Sequence, residues 1–158
     1  MCTRCGNHHT AHQNITEFSS AALQADIGRT DEFFEECGIP AGRDLHIYPF
    51  GAYSGRTMDV LAEHFALTFG GGGSTNYSLT NPICVGSVGI GGDLAGAKAL
   101  VDLTVEHRSL AIPLVHHMEP EQFDQLVALV HEQDRMGTLD VVTARDLQTH
   151  LQSLGTKS

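Results

Sequence analysis

The spacing of apolar and polar positions predicts helices that alternate with short, continuously apolar strands. Helical spacing recurs in four stretches: 17–37, "SGRTMDVLAEHF", 95–107 and "EPEQFDQLVALVHEQDRMG". The intervening strands are predicted at "LHIY", "ALTFG", "LAIPLVHH" and "LDVVT". Thr143-Ala144-Arg145-Asp146 predicts a capping box, with Asp in place of the usual Glu, at the start of a final helix.

This alternation predicts an α/β fold with a parallel sheet, either open or closed into a barrel. In such folds the chemistry gathers at the carboxyl ends of the strands. Tyr48-Pro49-Phe50-Gly51 follows one predicted strand, and His116-His117 ends another. These two strand ends are therefore the first candidates for a functional site.

Length, composition and charge narrow the class of protein. The 158 residues predict one globular domain, 1–158, that is long enough to bury a core. Because 19 acidic residues outnumber 9 basic ones, the net charge of −10 argues against binding to a nucleic-acid backbone. No apolar run is long enough to span a membrane, and no signal-peptide pattern opens the chain.

The segment "GNHHTAHQN" contains three histidines within five positions. His8 and His12 are four residues apart, so on a helical turn they would share a face and could chelate one metal ion. His9 is a competing donor, since His9 with His12 at i, i+3 is a second pairing. Cys2 and Cys5 with two of these histidines form a third alternative, although a zinc finger has roughly a dozen residues between its ligand pairs. The spacing is equally consistent with a solvated polar segment that binds no metal.

Taken in order, these segments resemble a polysaccharide deacetylase domain of carbohydrate esterase family four. "GNHHTAHQNIT" is similar to that family's Gly-Asn-His-Ser/Thr-x-x-His-x-x-Leu/Ile-Thr motif, and "YPFGAYSGRTMDVLAEHFALTF" to the turn, helix and strand of its next motif. "LAIPLVHHMEPEQFDQLVALVHEQDRMGTLDVVTARDLQTHL" is similar to the closing segment, in which a strand-end histidine precedes a helix. The resemblance extends from Gly6 to Leu154.

The resemblance implies a metal-dependent hydrolase that removes acetyl groups from an N-acetylated polysaccharide such as chitin or peptidoglycan, cleaving the C–N bond of a linear amide. It also implies a distorted (β/α) barrel and a divalent metal, with zinc the first expectation. Family members often act on the cell envelope or are secreted. The roles it assigns are metal binding for His8 and His12, an oxyanion-binding backbone N–H for Phe50, protonation of the leaving amine for His116, and substrate binding for Tyr48 and Pro49.

One departure from the family pattern changes the expected activity. The family opens with a Thr-Phe-Asp-Asp-Gly-type strand that supplies the general base and the third metal ligand, and no Asp-Asp pair occurs in this chain. The sequence therefore predicts a partial barrel that lacks its first strands and has weak or no deacetylase activity in isolation. A noncatalytic carbohydrate- or metal-binding remnant of the same fold is the alternative. Because such a barrel exposes sheet edges, we also expect self-association or pairing with a missing amino-terminal half.

Overall fold

The computed structural model describes residues 6–39, 44–71 and 73–155. Its helices are α1 (Ser20–Glu36), α2 (Gly55–His64), α3 (Leu94–His107), α4 (Pro120–Arg135) and α5 (Ala144–Gly155), with short 3-10 turns at Ile15–Glu17 and Pro49–Gly51. Its strands are β1 (Leu45–Ile47), β2 (Leu67–Phe69), β3 (Val88–Gly89) and β4 (Pro113–Leu114). The chain is therefore α/β, and it divides into two compact units: one contains the residues up to Ser74 with Leu79–Ser87, and the other contains Thr75–Ser78 with the residues from Val88 onward.

The first unit is built on a small parallel sheet. β1 and β2 pair in parallel, with Leu45 opposite Leu67. Single parallel bridges extend this pair on both sides, from Asn7 to His46 and from Phe69 to Val85. The four segments run in the same direction, so their carboxyl ends meet at one edge of the sheet. This confirms the parallel pairing predicted from the apolar runs.

Helices α1 and α2 pack against each other, and each has a well-defined start and one apolar face. The Ser19 side chain caps α1 by accepting a hydrogen bond from the N–H of Ala22, and Ser54 and Thr57 form a capping box at the start of α2. The core combines Leu23 with residues of both helices and of the segments around them: Ile15, Ile27, Tyr48, Val60, Leu61 and Phe65. Each fully buried aliphatic side chain of this kind stabilises the fold by about 1.5–3 kcal/mol.

The second unit pairs β3 with β4 in parallel, and α3 packs against α4. Its core is smaller and consists of Ile90, Ala97, Leu100 and Leu126. The predicted cap of α5 is confirmed, because the Asp146 N–H donates to Thr143 Oγ1 at 3.2 Å and the Thr143 N–H donates to Asp146 Oδ2 at 3.0 Å.

Two fold predictions need correction. The stretch "LDVVT" forms no strand: Val141 is 62% exposed, and its N–H donates to Asp134 Oδ1 near the end of α4 instead of to a sheet. The strand predicted over "LAIPLVHH" shortens to two exposed residues that begin with Pro113, which has no N–H to donate to a ladder. The described residues form two separate two-stranded sheets and show no closed barrel. None of the helices in these residues is long and apolar enough to cross a membrane.

Candidate functional site

Strained backbone marks the carboxyl edge of the first sheet. Among the described residues, four that are not glycine have a positive φ, and three of them lie in the two segments that follow Asn7 and β1: His9 at 66°, His12 at 47° and Phe50 at 59°. The left-handed conformation costs an ordinary L-residue roughly 1–2 kcal/mol. Such strain concentrates at functional sites, where surrounding structure holds it in place. The backbone thus points to the same residues as the sequence motifs.

His8 and His12 come together beside this edge. Their ring centres are 4.6 Å apart, and two imidazoles that bind one tetrahedral zinc ion about 2.0–2.1 Å away have centres roughly 5 Å apart. The Nδ1–H of His8 donates to the carbonyl oxygen of Ile47 at 2.8 Å, which leaves the Nε2 lone pair of His8 available. Histidines that bind metals commonly fix their other ring nitrogen in this way. This separation is compatible with two imidazoles that bind one divalent cation.

The two histidines meet for a different reason from the one predicted. Residues 8–12 form no helix, so His8 and His12 do not share the face of a helical turn. A turn that contains the left-handed residues His9 and His12 brings the rings together instead.

His9 is directed away from this pair and into the protein. Its Nδ1 lies 2.7 Å from Asp26 Oδ2, its Nε2 lies 3.0 Å from His46 Nε2, and its side chain is 1% exposed. Both ring nitrogens are thus occupied. The alternative pairing of His9 with His12 is disfavoured in this arrangement.

The protonation states of Asp26, His9 and His46 follow from their surroundings. Burial alone would raise the pKa of Asp26, but hydrogen bonds from Thr10, His9 and Arg29 outweigh it and lower the pKa to about 2. Burial lowers the pKa of His9, although Asp26 opposes the change. The pair is therefore a carboxylate that accepts a hydrogen bond from the Nδ1–H of a neutral imidazole. His9 Nε2 is then the acceptor for the Nε2–H of His46.

His46 is the most deeply buried of these three hydrogen-bonded residues. It is 0% exposed, and burial lowers its pKa to about 2. Because its Nε2 carries the proton, its Nδ1 is a buried acceptor, and this atom has no partner among the described residues. A neutral imidazole in this position is compatible with the apolar rings of Tyr48 and Phe65 that surround it.

The turn that contains Phe50 lies next to His12. The φ and ψ angles of Phe50 (59° and 8°) are those of the third residue in a type II turn. Pro49 occupies the second position, where proline is favoured. The hydrogen bonds of the turn run from Gly51 N–H to Tyr48 O and from Ala52 N–H to Pro49 O, so the turn does not use the N–H of Phe50. The ring of Phe50 is 71% exposed, and its centre is 4.5 Å from that of His12.

Tyr48 and Pro49 are buried beneath this turn. The Tyr48 hydroxyl donates to the carbonyl oxygen of Ile83 at 2.6 Å, and burial raises its pKa to about 12. These contacts give both residues a supporting role in the turn, while Phe50 and Tyr53 supply its exposed aromatic surface. Their binding to substrate stays a prediction.

His116 belongs to the second unit. It lies two residues beyond the end of β4, and its side chain is exposed. Its neighbour His117 places Nε2 3.2 Å from Glu119 Oε1 on the protein surface. The role of His116 as a general acid stays a prediction.

The described residues contain no complete metal site. No group of three or more His, Cys, Asp or Glu side chains that could hold a metal ion occurs among them. Catalytic zinc sites use three protein ligands, so His8 and His12 could supply at most two of them. Cys2 and Cys5, which form the alternative zinc site, lie outside the described residues.

The buried, hydrogen-bonded arrangement of Asp26, His9 and His46 was not predicted from the sequence. No role had been predicted for His46 or for Asp26. The sequence did contain an indication that Asp26 is buried. Asp26 stands three residues after Leu23 and directly before Ile27, within the buried face of α1. A carboxylate inside an apolar face is rarely buried unless it has partners.

Comparison with known proteins adds no assignment. No protein-family model matches the chain, and no curated protein matches it at a significant level. The function therefore has to be argued from the site itself.

Proposed function

We propose that this chain carries part of the metal-dependent hydrolytic site of a polysaccharide deacetylase, within a partial (β/α) barrel of that type. Its substrate class is N-acetylated polysaccharide, from which it removes acetyl groups. The observation that carries the proposal is the convergence of His8 and His12, with His8 fixed through the Ile47 carbonyl oxygen. Their position at the carboxyl edge of parallel strands is where α/β enzymes place their chemistry.

Each proposed role uses a group that the chain presents. His8 and His12 would hold a divalent cation, with zinc the first expectation. A bound zinc ion supplies Lewis acidity and lowers the pKa of a coordinated water. The backbone N–H of Phe50, which the turn does not use, would stabilise the oxyanion that develops on the amide carbonyl. His116 would protonate the leaving amine.

A second candidate is a noncatalytic metal- or carbohydrate-binding module of the same fold. It is favoured by the absence of a third ligand beside His8 and His12 within the described residues. Two imidazoles can hold a cation, but they provide no carboxylate base to take a proton from water. A module that binds metal shares this property with the deacetylase, and turnover separates the two.

The first experiment measures zinc binding by the purified, untagged chain through competition with a chromophoric chelator. We expect one zinc ion per chain, with binding lost in His8→Gln and in His12→Gln. His64→Gln and His150→Gln are the matched controls, because both histidines are exposed and lie on helices outside the segment that contains the pair. Failure to bind zinc, or loss of binding in the controls alone, would contradict the deacetylase and the metal-binding module.

The second experiment measures acetate released from an N-acetylglucosamine tetramer and from peptidoglycan fragments, with and without zinc. The deacetylase proposal predicts slow release that requires zinc and is lost in His8→Gln. His116→Ala should lower the rate while leaving zinc affinity unchanged. Zinc and oligosaccharide binding without acetate release would favour the noncatalytic module.

A further inference from the structure

The loop between the two proposed ligands is held by a single carboxylate on a different element. Asp26 of α1 is 2% exposed. It accepts hydrogen bonds from Thr10 Oγ1 at 2.6 Å, from the Thr10 N–H at 3.3 Å and from His9 Nδ1 at 2.7 Å. His9 and Thr10 are two of the three residues that separate His8 from His12. The carboxylate therefore fixes the middle of the segment whose two ends are the ligands.

The same loop is tied to β1 on its other side. His9 Nε2 meets His46 Nε2 at 3.0 Å, and His8 Nδ1 donates to the Ile47 carbonyl oxygen. His12, by contrast, makes ring contacts with His8 and Phe50 and no hydrogen bond among the described residues. Its position relative to His8 thus depends on the turn that Asp26 holds through Thr10.

From these contacts we infer that Asp26 is a positioning residue for the His8–His12 metal-binding pair and acts through His9 and Thr10 without touching the metal. The inference rests on the metal binding put forward in the proposed function. Removal of outer partners of this kind typically lowers metal affinity 10- to 100-fold. Asp26 differs from an ordinary outer partner because it orders the loop between two ligands and does not bond to either ligand ring.

The test compares zinc affinity with stability in the untagged chain. Asp26→Asn keeps the shape of the side chain, but its amide group cannot accept all the hydrogen bonds from Thr10 and His9. We expect its zinc affinity to fall at least 10-fold. Ile27→Val is the matched control, because Ile27 is the neighbouring buried residue on α1 and its aliphatic side chain makes none of the hydrogen bonds that hold the loop. It should lower stability in EDTA while leaving zinc affinity unchanged.

Two variants of Thr10 keep the inference testable if Asp26→Asn does not fold. Thr10→Val removes the hydroxyl that donates to Asp26 at nearly the same volume, and it should weaken zinc binding. Thr10→Ser restores that hydroxyl and should restore the affinity. Cobalt absorption spectra of the same variants report the geometry of coordination, and we expect the Thr10→Val spectrum to differ from those of the unmodified chain and of Thr10→Ser.

The outcomes separate the inference from the proposed function. Unchanged zinc affinity and an unchanged cobalt spectrum in both Asp26→Asn and Thr10→Val would overturn the inference alone. Zinc binding that persists unchanged in His8→Gln and in His12→Gln would overturn the proposed function and this inference with it. A loss of affinity in Ile27→Val as large as that in Asp26→Asn would also overturn the inference, since it would show a general effect of stability.

Discussion

Replacement of His46 by phenylalanine should remove much of the sensitivity of this fold to mild acid. Burial lowers the pKa of His46 to about 2 in the folded chain, whereas an unfolded histidine takes up a proton near pH 6.5. Between these two values the unfolded state binds more protons than the folded state. Stability from this source is therefore complete above pH 6.5 and declines as the pH falls toward 2.

The size of this effect follows from the two pKa values. Below pH 6.5 the free energy of unfolding should fall by about 1.4 kcal/mol per pH unit because of His46, which amounts to roughly 3 kcal/mol between pH 7.5 and 4.5. This is a large share of the roughly 5–15 kcal/mol that stabilises a typical domain. His9, whose pKa is also lowered, adds to the same trend. Asp26 acts in a separate window, because its stabilisation is present above its unfolded pKa of 3.8 and is lost as the pH falls toward about 2.

Urea unfolding followed by circular dichroism measures this slope directly, and EDTA keeps metal binding out of the result. The His46→Phe chain should lose roughly 3 kcal/mol less than the unmodified chain between pH 7.5 and 4.5. Its absolute stability is expected to be lower at every pH, because His9 Nε2 loses its donor at a cost of about 1–3 kcal/mol. The informative quantity is therefore the difference in slope. His64→Gln, which changes an exposed histidine, is the control. Equal slopes for His46→Phe and the unmodified chain would refute the reasoning.

Four further predictions concern packing, capping, strain and association. Gly71→Ala should destabilise the fold by about 1–3 kcal/mol in urea unfolding, since its new Cβ would collide with Cys84 Sγ, and Cys84→Ala should recover part of that loss; purely additive effects would contradict this. Ser54→Ala should cost about 1 kcal/mol through loss of the α2 cap, and an unchanged urea midpoint would show that the cap does not contribute. Phe50→Gly should change stability by less than about 1 kcal/mol, because glycine adopts a positive φ freely. Phe50→Val places a branched side chain at positive φ and should lower stability by about 1 kcal/mol or more. Equal stabilities of the two variants would argue against strain at Phe50. Light scattering should give a mass above the 17.0 kDa of one chain, and a stable monomer would contradict the expected self-association.

The helices could be predicted from the sequence because their determinants are local. The apolar spacing over 17–37 predicted a helix that the structure places at Ser20–Glu36. The Thr143 cap of α5 was equally visible, since both of its partners lie within four residues. The stretch "LDVVT" misled because its β-branched residues fit a strand, yet a strand also needs a neighbour with free backbone groups. Val141 has Asp134 as its partner instead.

The two proposed ligands could be predicted from the sequence, but the residues that support them could not. His8 and His12 could be proposed from spacing and motif, because both lie in one short segment. His46 and Asp26 reach His9 from 37 and 17 residues away, and no local pattern links positions so far apart. Only the fold brings β1 and α1 to the same histidine.

The hydrogen bonds of His9 bear on how a cluster of histidines should be interpreted. By spacing, His9 was as good a ligand as its neighbours, and the number of histidines alone suggested up to three ligands. An imidazole can bind a metal only through a nitrogen that carries a free lone pair, and both nitrogens of His9 are occupied. The hydrogen bonds that occupy His9 also hold the strained turn. Hydrogen bonds to a charged group contribute about 1.5–3 kcal/mol each. They can therefore offset a strain of roughly 1–2 kcal/mol at His9 and again at His12. His9, which is not free to bind a metal, is thus one reason that His8 and His12 can adopt their arrangement.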